Sequence, residues 1–281
     1  MGYKTILVHC NDRQRLPRLI EPAVGLSVVF RSHLVAVSVA PPIAVLPAGM
    51  PGSPGTIILD QHTKAYRADN PVMKAMIEEA ACAQNISVEW READAGSSGN
   101  TVAGMVTMQA HAADLIIASQ TAPNWRGSLD LDVADRLALD SGRPVLIIPN
   151  ARPHNQIPKR IVLGWADRRE AACAIFDALP LLQRADKVTL VEIDPDPPPD
   201  AAESRNAICA TLARHSVICE AETAVSRNGN AGDALLRRCE QSRADLLVMG
   251  CYGHSRLREF VLGGASRHVL AGMTLPVLMS H

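Results

Sequence analysis

The residues best placed to do chemistry lie between Leu246 and Ser266, LLVMGCYGHSRLREFVLGGAS. An aliphatic run from Leu246 to Met249 ends at Gly250, Gly253 follows, nine residues intervene, and the pair Gly263 and Gly264 opens a helical pattern. That order predicts a strand, a glycine-punctuated loop and a helix N-terminus. Glycine admits positive φ and lets a ligand approach the main chain, and the first N–H groups of a helix have no internal partner. An anion is the natural guest of such a site. Cys251, inside the loop, is either a reactive thiol, if the helix N-terminus lowers its pKa, or an inert one tucked beneath the loop.

The elements that must hold this loop alternate along the chain. In the first half, strands are expected near 4–10, 33–39, 86–92, 114–119 and 144–148, with helices near 15–30, 71–84, 99–112 and 131–141. In the second, strands fall near 160–165, 187–193, 217–224, 245–250 and 276–280, with helices near 168–183, 201–214, 230–243 and 264–273. The halves also resemble each other: KTILVHCND at 4–12 parallels KRIVLGWAD at 159–167, Ala113 to Ile117 parallels Ala244 to Val248, and Pro144 to Ile148 parallels Pro276 to Ser280. Such self-similarity indicates a duplicated unit. Strands alternating with helical patterns imply βαβ units and a parallel sheet. Five strands per half suggest an α/β, doubly wound sheet of order 3-2-1-4-5, whose ligand crevice lies beyond the carboxyl ends of strands 1 and 4. The Gly250 loop follows strand 4 of the second half.

Between the halves, Asn150 to Pro158 reads as a short proline-bearing linker. Residues 41–70 hold five of the nineteen prolines, a segment that either covers a cleft or is a partly disordered insertion. The closing strands PVLIIP and PVLMSH are short, apolar and last in their sheets, so they are edges that need a partner. Pairing 144–148 with 276–280 across a pseudo-two-fold axis would satisfy both.

Apolar residues make up 47% of the chain and aromatics 3%, as aliphatic α/β cores require. With 28 basic against 29 acidic residues and no long run of either sign, the electrostatic footprint of a nucleic-acid binder is missing. No apolar run reaches the roughly 20 residues needed to span a bilayer. Seven scattered cysteines without a C-x-x-C pair fit reduced thiols, and the start of the chain lacks signal-peptide features, so a cytoplasmic protein is expected. Nine histidines show no ligand spacing, and no metal site is expected.

On the strand openings KTILVHCND and KRIVLGWAD, the motif Gly250-x-x-Gly253-x9-Gly263 after Asp245 to Met249, and the terminal strand Leu275 to Met279, the chain resembles a tandem universal stress protein over essentially its whole length. The resemblance implies two domains, 1–150 and 159–281, pairing as an intramolecular pseudo-dimer, with a homodimer of the chain possible. It also implies a pocket for ATP or AMP in the second half. Backbone at Gly250, Gly253, Gly263 and Gly264 would line the phosphates, with Ser255 or Ser266 as hydroxyl donor and His254, Arg256 and Arg258 as nearby positive charge.

Two positions depart from the family pattern. Gly264 stands where the nucleotide-binding branch has Ser or Thr, and the strand-1 acid falls at Ala166, with Asp167 one position later. Asp167 can substitute if the strand ends early. The first half has Ser119-Gln120-Thr121 and no glycine at the first two motif positions, and Asn11 followed by Asp12 at the acid position. This half is expected to keep the fold without the pocket. Trp165 is expected either in the core or stacked on a base. With no G-x-x-x-x-G-K-[ST] loop and no G-x-S-x-G elbow, fast phosphoryl transfer and acyl chemistry have no machinery. The expected function is nucleotide sensing in a stress response with an unknown protein partner. The rivals are a nucleotide-free adaptor and a slow ATPase.

Overall fold

The computed structural model describes residues 2–10, 12–42, 64, 66–122, 133–151, 157–193, 201–226, 230–251 and 264–281. The first half runs β1 (Thr5–His9), α1 (Leu16–Phe30), β2 (His33–Ala40), α2 (Asn70–Cys82), β3 (Val88–Asp94), α3 (Ala95–Ser98), α4 (Val102–Ala110), β4 (Leu115–Ser119), α5 (Ala134–Asp140) and β5 (Val145–Ile148). The second runs β6 (Arg160–Trp165), α6 (Arg169–Asp177), α7 (Leu179–Leu182), β7 (Lys187–Ile193), α8 (Ala201–Arg214), β8 (Cys219–Ala224), α9 (Ala231–Ser242), β9 (Leu246–Gly250), α10 (Gly264–Gly272) and β10 (Val277–Ser280).

All ten strands form one sheet, in the order β3-β2-β1-β4-β5-β10-β9-β6-β7-β8. Each half therefore has the expected 3-2-1-4-5 order, and every neighbouring pair is parallel except β5 with β10. In that antiparallel pair Leu146 faces Leu278, the same position of each repeat, so the pseudo-two-fold axis passes between them. Joining the two closing strands removes both edges from solvent, which answers the aggregation hazard of an apolar edge.

Helices cover both faces. Leu16, Leu19, Ile20 and Ala23 of α1 and Ala171, Ala174 and Ile175 of α6 pack with Ile6, Val8, Ile161 and Leu163 on one face. On the other, Val106 of α4, Leu137 of α5, Leu235 of α9 and Val269 of α10 pack with Leu7, Ile116, Val162 and Leu247. The strands are apolar on both sides because both sides are covered.

A repeated device explains the matching Ala-Asp pairs. The Asp114 carboxylate accepts hydrogen bonds from Lys4 N and Thr5 N at 2.6 and 2.9 Å, and Asp245 does the same for Lys159 N and Arg160 N at 2.9 and 2.8 Å. Each carboxylate ties the start of the first strand of its half to the fourth.

Two helices differ from expectation. The helix expected over 168–183 is broken into α6 and α7, since Pro180 has no N–H to donate and starts a new turn. The helix expected over 99–112 begins at Val102, where the Thr101 hydroxyl caps Gly104 N at 3.1 Å. Most of the 41–70 segment lies outside the described residues. At its end, Tyr66 packs against the first half. Among the described residues no helix is long and apolar enough to cross a membrane, and no three His, Cys, Asp or Glu side chains converge as metal ligands.

Candidate functional site

Of the predicted site residues, Gly250, Gly264, Ser266 and Asp167 are described, whereas Gly253, Ser255 and Gly263, with His254, Arg256 and Arg258, lie outside the described residues. Gly250 ends β9 and Asp167 follows the paired strand β6, whereas Gly264 and Ser266 lie in the first turn of α10.

Gly250 closes β9, and its conformational role is set by the protein's own backbone. A Cβ there would lie 2.5 Å from Ala171 N and 2.7 Å from Glu170 O, closer than atoms can approach. The first turn of α6 occupies that space, so Gly250 lets a helix seat against a strand. Gly264 is different. It is exposed, it opens α10, and a Cβ there would meet nothing within 4 Å among the described residues. Its N–H belongs to the first turn of a helix, where the backbone has no internal acceptor. Ser266, one turn in, is buried.

Strand β6 ends at Trp165, before the position where the acid is expected. Ala166 then accepts a hydrogen bond from Arg168 N at 2.7 Å, so Asp167 sits at the centre of a three-residue turn and is exposed. The strand ends where it is expected, at 165, and Asp167 lies in the turn that leads to α6. Trp165 itself is 6% exposed and packs in the core with Leu163 and Ile175, which decides for the core role over an open stacking platform.

Cys251 begins the glycine loop and is fully buried. Its N–H donates to Ser280 O at 2.9 Å, its thiol reaches Ala138 O at 3.5 Å, and burial pushes its pKa up to about 12. The thiol is protonated and covered at neutral pH, the inert alternative of the two expected.

A second helix start stands beside that of α10. Asn230 Oδ1 caps α9 by accepting from Gly232 N at 2.9 Å and Asp233 N at 3.3 Å. Gly232 abuts α10, where its Cβ would lie 2.5 Å from Ala265 O, and His268 meets Asp233 at 2.8 Å. These contacts fix the first turns of α9 and α10 side by side. The Asn230 cap is legible as Asn before AGDALL; the close approach of Gly232 is not.

In the first half the ends of the corresponding strands are tied by side-chain hydrogen bonds. Arg15, 9% exposed, donates to the Gln120 carbonyl and to Asn150 Oδ1 at 3.2 Å. Asn150 N donates to Gln120 Oε1 at 3.0 Å, and Gln120 Nε2 donates across the seam to Leu270 O at 2.7 Å. The guanidinium thus bridges from the start of α1 to the end of β4. The Asp12 carboxylate accepts from Gln14 N and Arg15 N at 2.7 and 3.0 Å, so it serves the turn before α1. A small cavity of about 20 Å³ lies at the ends of β1 and β2, lined by Cys10, Ser38 and Tyr66. Nearby, His9 is buried, and burial together with Arg15 lowers its pKa to about 4. Sequence reasoning missed Arg15, Gln120 and Tyr66, whose types carry no signal until the halves are joined.

Comparison with known proteins agrees with this architecture. Residues 159–281 match the model of the universal stress protein family. A stretch of 50 residues is 44% identical to universal stress protein Slr1230 of Synechocystis sp., covering 18% of this chain and 17% of that relative's length. The fold is similar to a crystal structure of a universal stress protein from Archaeoglobus fulgidus DSM 4304, with TM-score 0.72 and 15% identity over 98% of this chain and 95% of that one. It is also similar to a Pseudomonas aeruginosa UCBPP-PA14 protein assigned by name to the same family, with TM-score 0.60 and 18% identity over 99% and 93% of the two chains. Residues 159–281 are thus similar to the universal stress protein family, and the first half of the chain repeats the topology of the second.

Proposed function

We propose that the second half binds an adenine nucleotide, ATP or AMP, at the carboxyl ends of β6 and β9, and that the chain acts in the cytoplasm as a stress-response sensor. The observation that carries this reading is Gly264: an exposed helix-opening glycine with open space beside it among the described residues, downstream of the Gly250, Gly253 and Gly263 spacing. Main-chain N–H groups at such a helix start bind phosphate through geometry and dipole together. Ser266 and Ser255 are the hydroxyl donors of the reading, and Asp167 the group that meets the ribose side. The first half, with Arg15 bonded to Gln120, binds no nucleotide and supports the second. Without a phosphate-loop lysine, turnover is slow or nil, and output runs through conformation or a protein partner.

Equilibrium dialysis with ATP and with AMP tests the site, using Gly264→Val and Gly253→Val as controls. Binding that both variants weaken supports it. No binding at millimolar nucleotide, or variants indistinguishable from wild type, refutes it. A second reading, a nucleotide-free adaptor, is favoured by Gly250, whose lack of a side chain serves α6 and no ligand. It predicts no small molecule released from the purified protein on mass spectrometry.

A further inference from the structure

A cavity of about 410 Å³ opens at the seam between the halves, on the α6 side of the sheet. That volume falls in the range of about 300–1,000 Å³ typical of small-molecule sites. Arg143 of the first half, Arg169, Cys173, Phe176 and Asp177 of α6, and His281 after β10 line it.

The polar groups are held in place. Arg143 Nη2 donates to His111 O at 2.8 Å, and His281 Nδ1 lies 3.0 Å from Cys251 O. Tyr3 of the first half donates to Asp177 O at 2.7 Å, tying α6 to the seam. Burial raises the pKa of the Asp177 carboxyl, while Ser280 and Arg143 pull it the other way. Phe176 is 42% exposed, with its ring edge-on to His215 at 6.2 Å.

The repeat supplies an internal comparison. Leu16, Leu19, Ile20 and Ala23 are buried in α1 at the spacing of Ala171, Ala174, Ile175 and Ala178 in and after α6, which fixes the correspondence of the two helices. In that correspondence Arg18 stands where Cys173 does and Glu21 where Phe176 does, and the matching closing strands put Leu275 in the place of Arg143. Arg18 donates to the Asn150 carbonyl and so spans the mirror position with the protein's own cation. On that side of the seam Arg18 is bonded to the protein's own main chain. The other carries an arginine and an aromatic ring where its mirror has Leu275 and Glu21, and it stays open.

The geometry points to a binding site for a small organic anion, its carboxylate or phosphate head taken by Arg143 and Arg169 and its apolar body by Phe176 and Cys173. The site is separate from the Gly250 to Gly264 loop and does not rest on the nucleotide reading. Guanidinium groups suit either head chemistry, through paired N–H donors.

Calorimetric titration of the full chain with phenylphosphate and with benzoate distinguishes the two heads, and benzylamine serves as the opposite-charge control. Saturable binding of at least one anion with a dissociation constant on the order of 1 mM is expected, given the ligand efficiency of so small a probe. Arg143→Gln should weaken it about tenfold, the loss of one charge-assisted contact. Cys173→Arg, which sets into the cavity the long side chain that Arg18 has at the mirror position, should abolish it. If Arg143→Gln fails to fold by circular dichroism, Arg169→Gln at the exposed start of α6 carries the same expectation. No saturation by either anion, equal binding of benzylamine, or binding unaffected by Cys173→Arg and the arginine variants overturns the assignment. ATP titration of wild type and Gly264→Val reports on the nucleotide site separately.

Discussion

Gly250 and Gly264 belong to one sequence motif, yet they should respond to the same substitution in opposite ways. At Gly250 a methyl group would sit 2.5 Å from Ala171 N and 2.7 Å from Glu170 O, against an ordinary contact of 3.4–4 Å. Those atoms are backbone of the first turn of α6, so no side chain can rotate away. The helix would have to move by about 1 Å, disturbing the packing of Ala171, Ala174 and Ile175. Overpacking of this kind costs about 1–3 kcal/mol. At Gly264 the added methyl meets nothing within 4 Å among the described residues. Replacing a helical glycine with alanine at an unstrained position gains up to about 0.5–1 kcal/mol, mostly from the unfolded chain.

Urea unfolding of Gly250→Ala and Gly264→Ala, followed by far-UV circular dichroism, measures both. The expected result is a clear loss for the first and no loss for the second. Nucleotide dialysis on Gly264→Val completes the test, because a bulky side chain at that helix start should hinder ligand without unfolding the protein. Should Gly250→Ala prove as stable as wild type, the close contact with α6 is wrong. Should Gly264→Ala destabilise by more than about 1 kcal/mol, the space beside it is not open.

Further expectations concern burial and the seam. His9 has its pKa lowered from 6.5 to about 4, so the native protein holds it neutral while the unfolded chain takes up a proton. Its contribution is fully present above pH 6.5 and is lost as pH falls toward 4, about 2 kcal/mol of it by pH 5. Urea midpoints at pH 7.5 and 5 should therefore converge in His9→Leu relative to wild type; an unchanged difference would contradict the buried neutral imidazole. Gln120→Ala removes the donor to Leu270 O and the acceptor of Asn150 N. It should cost about 1–3 kcal/mol through buried groups left unpaired, read by urea unfolding, and a loss under 0.5 kcal/mol would argue against the network. Iodoacetamide should alkylate exposed Cys82 in the native state and reach Cys251 only on unfolding, as peptide mass spectrometry can follow.

The framework was legible because it rests on repeated local signals. The apolar runs, the Ala-Asp pairs and the closing strands each occur twice, and the strand order follows from the βαβ alternation they define. The antiparallel meeting of β5 and β10 was legible from their apolar edges. What escaped is what depends on distance across the fold. Gly250 reads as a ligand-facing glycine in sequence, and only the position of Glu170 shows that a helix uses the space. Arg15 reads as a surface arginine near a helix start, but its partners are 105 and 135 residues away. Pro180 was in plain view, and the long apolar pattern around it masked the break.

The two halves share one frame and differ in what fills it, and the seam determines how the difference is used. Gln120 and Cys251 stand at the same position after the fourth strand of each half, and each reaches the last helix of the other, at Leu270 O and Ala138 O. The glycine loop therefore starts from a residue that is pinned by the first half. The first half, with Arg15 bonded to Gln120, is braced at the end of β4. It gives Cys251 a fixed anchor, so that a movement at Gly264 on the far side of the loop would be expressed in the second half alone. The support that the first half gives rests on the sheet, the α5 carbonyl and the β5 edge.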